Sequence, residues 1–125
     1  MYTDKEFYES MTRWDSALRA LGAGPRRQIV LELLKSPEEK QLPLPEGATV
    51  PGLSSASDDL TIALQHQHLP LLAEFDYVNW EREPFTVERG SRFDDVAAIL
   101  GILWHSREEL PSTLSNDSVF RNVMA

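Results

Sequence analysis

One stretch, residues 60–89, restricts the fold of this chain more than any other. From Leu60 to Phe75 apolar residues recur at helical spacing. Residues 77–81 and 85–89 then alternate apolar and polar, as half-buried strands do, with Glu83-Pro84 in the turn between them. The chain therefore runs from one long helix directly into a tight hairpin.

The flanking segments read as helices. Thr3 with Glu6 forms a capping-box pattern. Phe7, Met11, Trp14, Leu18 and Leu21 follow at 4-3-4-3 spacing, and Gly22 is a stop signal. That single apolar seam has two readings, packing on its own domain or pairing with a second chain. Gly24-Pro25 opens the next helix, with Ile29, Val30, Leu33 and Leu34 as its buried face. Arg26 and Arg27 stand in its first turn, where the helix dipole disfavours cations. They are held there by a phosphate or an acidic neighbour, or are a solvated pair.

Residues 36–57 carry Pro37, Pro43, Pro45, Pro51, Gly47 and Gly52 and read as a long loop. Ser36-Pro37-Glu38-Glu39 can cap one short helical turn within it. Ser57 caps the long helix, with Asp58 and Asp59 in its first turn; Pro70 lies inside that helix and is expected to bend it. Ser91 with Asp94 forms a second capping-box pattern. Phe93, Val96, Ala97, Leu100, Leu103 and Trp104 then mark a strongly amphipathic helix ending by Pro111. The tail, 111–125, reads as polar and flexible, with Val119, Phe120 and Val123 as weak docking points. Residues 1–110 are expected to form one domain.

Composition narrows the function. The 125 residues are 42% hydrophobic, with a formal net charge of −8. That is enough for a core but the wrong sign for an ordinary DNA binder. A high-salt cytoplasm is the exception, because at molar salt the Debye length is only about 3 Å. No cysteine is present, which excludes disulfides and thiolate metal sites. The absence of a secretory pattern and of a long apolar run points to a cytoplasmic protein with no membrane span, so the sequon Asn116-Asp117-Ser118 reads as a chance match.

A helix feeding a two-stranded ribbon is the core arrangement of a winged helix-turn-helix, and the fold expected is mainly α with a two-stranded wing and flanking N- and C-terminal helices. The run HQHLPLLAEFDYVNW resembles the recognition helix and first wing strand of the arsenic-repressor-like winged-helix superfamily, through His68-Leu69, Leu72 and Tyr77-Val78. The chain is also similar to a family of short haloarchaeal winged-helix domains of unknown function. That likeness is carried by Pro25-Arg26-Arg27, by the ALxHxHLP-type run from Ala63 to Leu72, by the hairpin and by Phe93-Asp94-Asp95. It spans about residues 17–110 and implies a transcription regulator. Two positions depart from the pattern: the proline-rich loop replaces the helix before the recognition helix, and Asp76 replaces the glycine before the wing.

Projected at 100° per residue, Ile62, Leu69, Leu72 and Ala73 make one broad apolar face of the long helix; the resemblance implies that this face packs on the core, leaving Leu60, Ala63, Leu64, Gln67 and Leu71 outside. Such an outer side reads bases poorly, since readout needs donors and acceptors. The candidate contacts to double-stranded DNA are Arg26, Arg27, Thr61, Gln65, His66, Gln67, Arg82, Arg89 and Arg92. The candidate dimer or partner face is Phe7, Met11, Trp14, Leu18, Leu100, Leu103 and Trp104. His66 and His68, two apart on a helix, point about 200° apart and cannot share one ion, so no metal or other cofactor is expected. The carboxylate pairs lie near helix ends, where the dipole and solvation explain them. No nucleophile elbow, P-loop or dinucleotide motif occurs, so no enzyme is expected. Two functions stand: a dimeric DNA-binding regulator, or a winged-helix interaction module that has lost base readout and binds a protein.

Overall fold

A computed structural model describes residues 3–49 and 58–121. The chain is mainly helical, with a small three-stranded antiparallel sheet. Helix α1 spans Asp4–Ala20 and begins as its sequence predicts: Thr3 Oγ1 accepts from the Glu6 amide at 3.1 Å, and Glu6 Oε2 accepts from the Thr3 amide at 2.9 Å. The chain turns at Gly22 into α2, Gly24–Lys35, whose Ile29, Val30 and Leu33 are fully buried. Two further helices close over α2: α5, Phe93–His105, and the short α7, Ser118–Arg121.

The proline-rich segment is more ordered than expected. Leu42–Pro43 forms a short strand, β1, and Glu46–Ala48 a 3-10 turn. At Ser36-Pro37-Glu38-Glu39 there is a simple turn, closed by the Lys40 amide on the Pro37 carbonyl, and no helical turn. β1 pairs with β3, Phe85–Arg89, setting Leu42 opposite Val87, and β3 pairs with β2, Val78–Arg82, setting Trp80 opposite Val87. The strand order is thus β1-β3-β2. Pro43 has no amide to donate, so β1 stays short and at the edge. The Ser57 cap lies outside the described residues, as do Pro51 and Gly52.

The long helix, residues 58–74, is continuous but not uniform. It consists of α3, Asp58–Ala63, a π turn, Leu64–His68, and α4, Leu69–Glu74. A wide turn stands just before Pro70, where the sequence led us to expect the helix to be disturbed. A proline ring inside an α-helix presses on the carbonyl four residues back, here that of His66. The π turn opens the backbone there, with the Leu69 amide donating to the Leu64 carbonyl. The extra residue moves Leu64 and Leu69, five apart, onto one face, where both are fully buried with Leu72. The 100° projection is corrected accordingly: Leu64 is core, and Ile62 is 57% exposed.

At the end of α4, Asp76 takes φ 63°, the left-handed turn that glycine would occupy. Gly90 closes the hairpin against this turn. A Cβ there would collide with the Asp76 carbonyl oxygen and lie 2.8 Å from the Val78 nitrogen. Helix α5 starts without the expected Ser91–Asp94 box; its N-cap is Arg92, which makes no side-chain cap bond. The tail is also corrected in part. Ser112–Ser115 forms α6, and Val119 and Phe120 of α7 are buried in the core; Val123 lies outside the described residues.

Candidate nucleic-acid interface and apolar face

The first-turn arginines of α2 point inward. Arg26 is buried; its Nε donates to the Ala20 carbonyl at 2.8 Å and its Nη2 to the Arg19 carbonyl at 3.1 Å. Its Nη1 lies 2.8 Å from His68 Nδ1. Arginine has no acceptor, so His68 Nδ1 accepts and the ring is assigned as the neutral Nε2–H tautomer. Burial pushes the His68 imidazole below its ordinary value, and the Arg26 charge adds to the effect. This one guanidinium therefore caps the open carbonyl end of α1 and ties it to the π turn of the long helix.

Arg27 is held similarly. Its Nη1 donates to the Leu21 carbonyl at 2.8 Å, and its Nη2 pairs with Asp117 Oδ1 at 2.9 Å, docking the C-terminal segment. Arg89 Nη2 donates to the Leu33 and Ser36 carbonyls at 2.9 and 3.0 Å, with its guanidinium 4.9 Å from the Phe93 ring centroid. Arg26, Arg27 and Arg89, all expected to touch DNA, thus close the ends of this chain's own helices. His68, Asp117 and both acceptors of Arg89 are far away in sequence, so no local signal announces them.

The other candidates divide into two places. Gln65, His66 and Gln67 follow Leu64 through the π turn; His66 and Gln67 are exposed and Gln65 is half-buried. Arg82, at the end of β2, reaches the first of them: its Nη1 donates to Gln65 Oε1 at 3.3 Å. Its guanidinium sits 5.7 Å from the Trp80 ring centroid, and Phe85 meets Trp80 edge-on at 6.3 Å. One hydrogen bond thus joins helix and hairpin at Arg82, with an aromatic support that was not singled out in the sequence. Thr61 is half-buried one turn earlier. Arg92 is elsewhere, lining a groove with Lys5, Tyr8, Thr12 and Arg13 of α1. His66 and His68 face opposite ways, one exposed and one buried.

A second feature is apolar. Phe7, Met11, Trp14 and Leu18 of α1 are 58%, 45%, 54% and 55% exposed, while Ala17 and Ala20 are the α1 residues that enter the core. Leu100, expected on a partner face, is fully buried and belongs to the core. Leu103 is exposed; Trp104 is half-buried, with the Arg107 guanidinium 3.9 Å from its ring centroid. Tyr8, Ile102 and Leu114 join this face without having been singled out in the sequence. An ion pair braces it from behind: Arg13 Nε and Nη2 donate to the two carboxylate oxygens of Asp95, each at 2.8 Å, locking α1 to α5.

Among the described residues, no helix is long and apolar enough to cross a membrane. Comparison with protein-family models, with curated proteins and with solved structures finds no match for this chain.

Proposed function

We propose that the chain is a winged-helix DNA-binding regulator, non-enzymatic and dimeric, working in a high-salt cytoplasm. Support for the winged-helix reading comes from the sequence of elements. A strand between α2 and the long helix joins the hairpin in the order β1-β3-β2, the long helix runs into the hairpin through a left-handed Asp76, and α5 follows. The observation that carries the DNA reading is the π turn. It takes Leu64 into the core, leaves His66 and Gln67 exposed and sets Gln65 against Arg82, so that donors and acceptors stand where they can meet base edges and phosphate. The high-salt setting rests on the haloarchaeal resemblance together with the net charge of −8.

The test is selection from random duplex DNA by purified protein in high potassium chloride, titrated downward. The expected result is a selected site. Arg82→Ala should weaken binding uniformly across sequences and reduce the salt slope by about 1 per protomer. An unchanged slope would remove Arg82 from the phosphate contacts. The second reading, an interaction module that binds a protein, is favoured by the inward use of Arg26, Arg27 and Arg89, which leaves little cationic surface on an acidic chain. Folded protein that selects no sequence at any salt would decide for it.

A further inference from the structure

The apolar surface of α1 is continuous with two neighbours. Trp14 and Ile102 line one groove, of about 510 Å³, between α1 and α5. Leu18, Leu103 and Leu114 line the next, of about 600 Å³, towards α6. With Phe7, Tyr8 and Met11 these residues make eight large apolar side chains, each between 38% and 67% exposed, and such a cluster marks an interaction surface.

We infer that this face is covered by a second copy of the chain, with the two α1 helices antiparallel about a two-fold axis passing between Met11 and Trp14. This rests on, and specifies, the dimeric part of the function proposed above. The seam itself argues for the orientation. Its 4-3-4 spacing is symmetric, so an antiparallel pair sets Phe7 against Leu18 and Met11 against Trp14 of the partner, a larger side chain against a smaller one each time. A parallel pair would set Trp14 on Trp14 and Phe7 on Phe7.

Charge agrees. Asp4, Glu6 and Glu9 against Lys5 leave the first half of α1 net acidic, while Arg13 and Arg19 against Asp15 leave the second half net basic. An antiparallel pair lays the acidic half of one α1 along the basic half of the other, with Arg13 held in place by Asp95. The helix dipoles oppose each other in the same arrangement. Self-pairing also suits an acidic chain in strong salt: charge steering is screened there, while apolar burial persists.

The chain has no cysteine, so the geometry can be read by cross-linking. Light scattering in molar potassium chloride should give about twice 14.2 kDa, and Trp14→Asp should weaken the dimer at least about a hundredfold while circular dichroism stays native. Ile102→Asp, on the other wall and 67% exposed, should do the same if Trp14→Asp proves unfolded. A mixture of Phe7→Cys and Leu18→Cys proteins should oxidise to the mixed dimer. Neither alone should cross-link, since like positions lie roughly 16 Å apart along the axis. A monomeric wild type overturns the proposal, as does a dimer indifferent to both aspartates. Cross-linking of Phe7→Cys with itself overturns the antiparallel arrangement. These readouts contain no DNA, so the interface can fail while sequence-selective binding stands, and the reverse.

Discussion

At the scale of single residues, Arg26 and His68 define the centre of the molecule. A buried guanidinium with three acceptors is worth more than its charge suggests, because each lost bond would leave a desolvated carbonyl or ring nitrogen. The acceptor role of His68 makes the contact sensitive to acid. Its folded value lies below the unfolded one, so the unfolded chain takes up the proton first as pH falls below about 6.5. Stability is therefore level above that point and declines as pH drops towards the folded value. His68→Asn keeps an oxygen near the Nδ1 position but cannot titrate. Denaturation series between about pH 7 and pH 5 should show a decline in the wild type and a shallower one in the variant. Equal slopes would mean that His68 does not report on this contact.

At the scale of elements, the long helix gives the clearest test. On a straight α-helix Ile62 belongs to the core side and Leu64 to the outside. The π turn reverses this, so Leu64→Ala should cost about 2–5 kcal/mol, whereas Ile62→Ala should stay within about 0.5 kcal/mol. Urea unfolding of the two variants checks it, and the opposite ranking would restore the straight helix. The C-terminal segment is tested in the same way. Truncation after Leu110 removes buried Val119 and Phe120 and the Asp117 partner of Arg27, and should lower stability by roughly 3–5 kcal/mol. An unchanged midpoint would show that α7 contributes nothing to the core.

At the scale of the whole molecule, legibility in the sequence followed distance along the chain. The Thr3–Glu6 cap, the hairpin with its Glu83-Pro84 turn and the left-handed Asp76 were visible because each depends on residues within a few positions. What was not visible depends on remote partners. β1 is two residues among prolines and exists only because β3 offers an edge 43 to 45 residues later. Arg26 meets a histidine 42 residues on, and Arg27 an aspartate 90 residues on. A local reading leaves such arginines looking free, and so offers them to phosphate.

The sequence by itself determined where helices begin, where the chain turns and which alternation makes a ribbon, because caps, prolines and side-chain period act over one or two turns. Only the tertiary structure decided which way those elements face. Closing a core around Leu64, Leu69 and Leu72 requires one extra residue in the turn before Pro70. That insertion accompanies the contact of Gln65 with Arg82, and the same packing takes Leu100 inward while Phe7, Met11, Trp14 and Leu18 remain outside. Burial is a property of the whole chain's packing, and no window of sequence contains it.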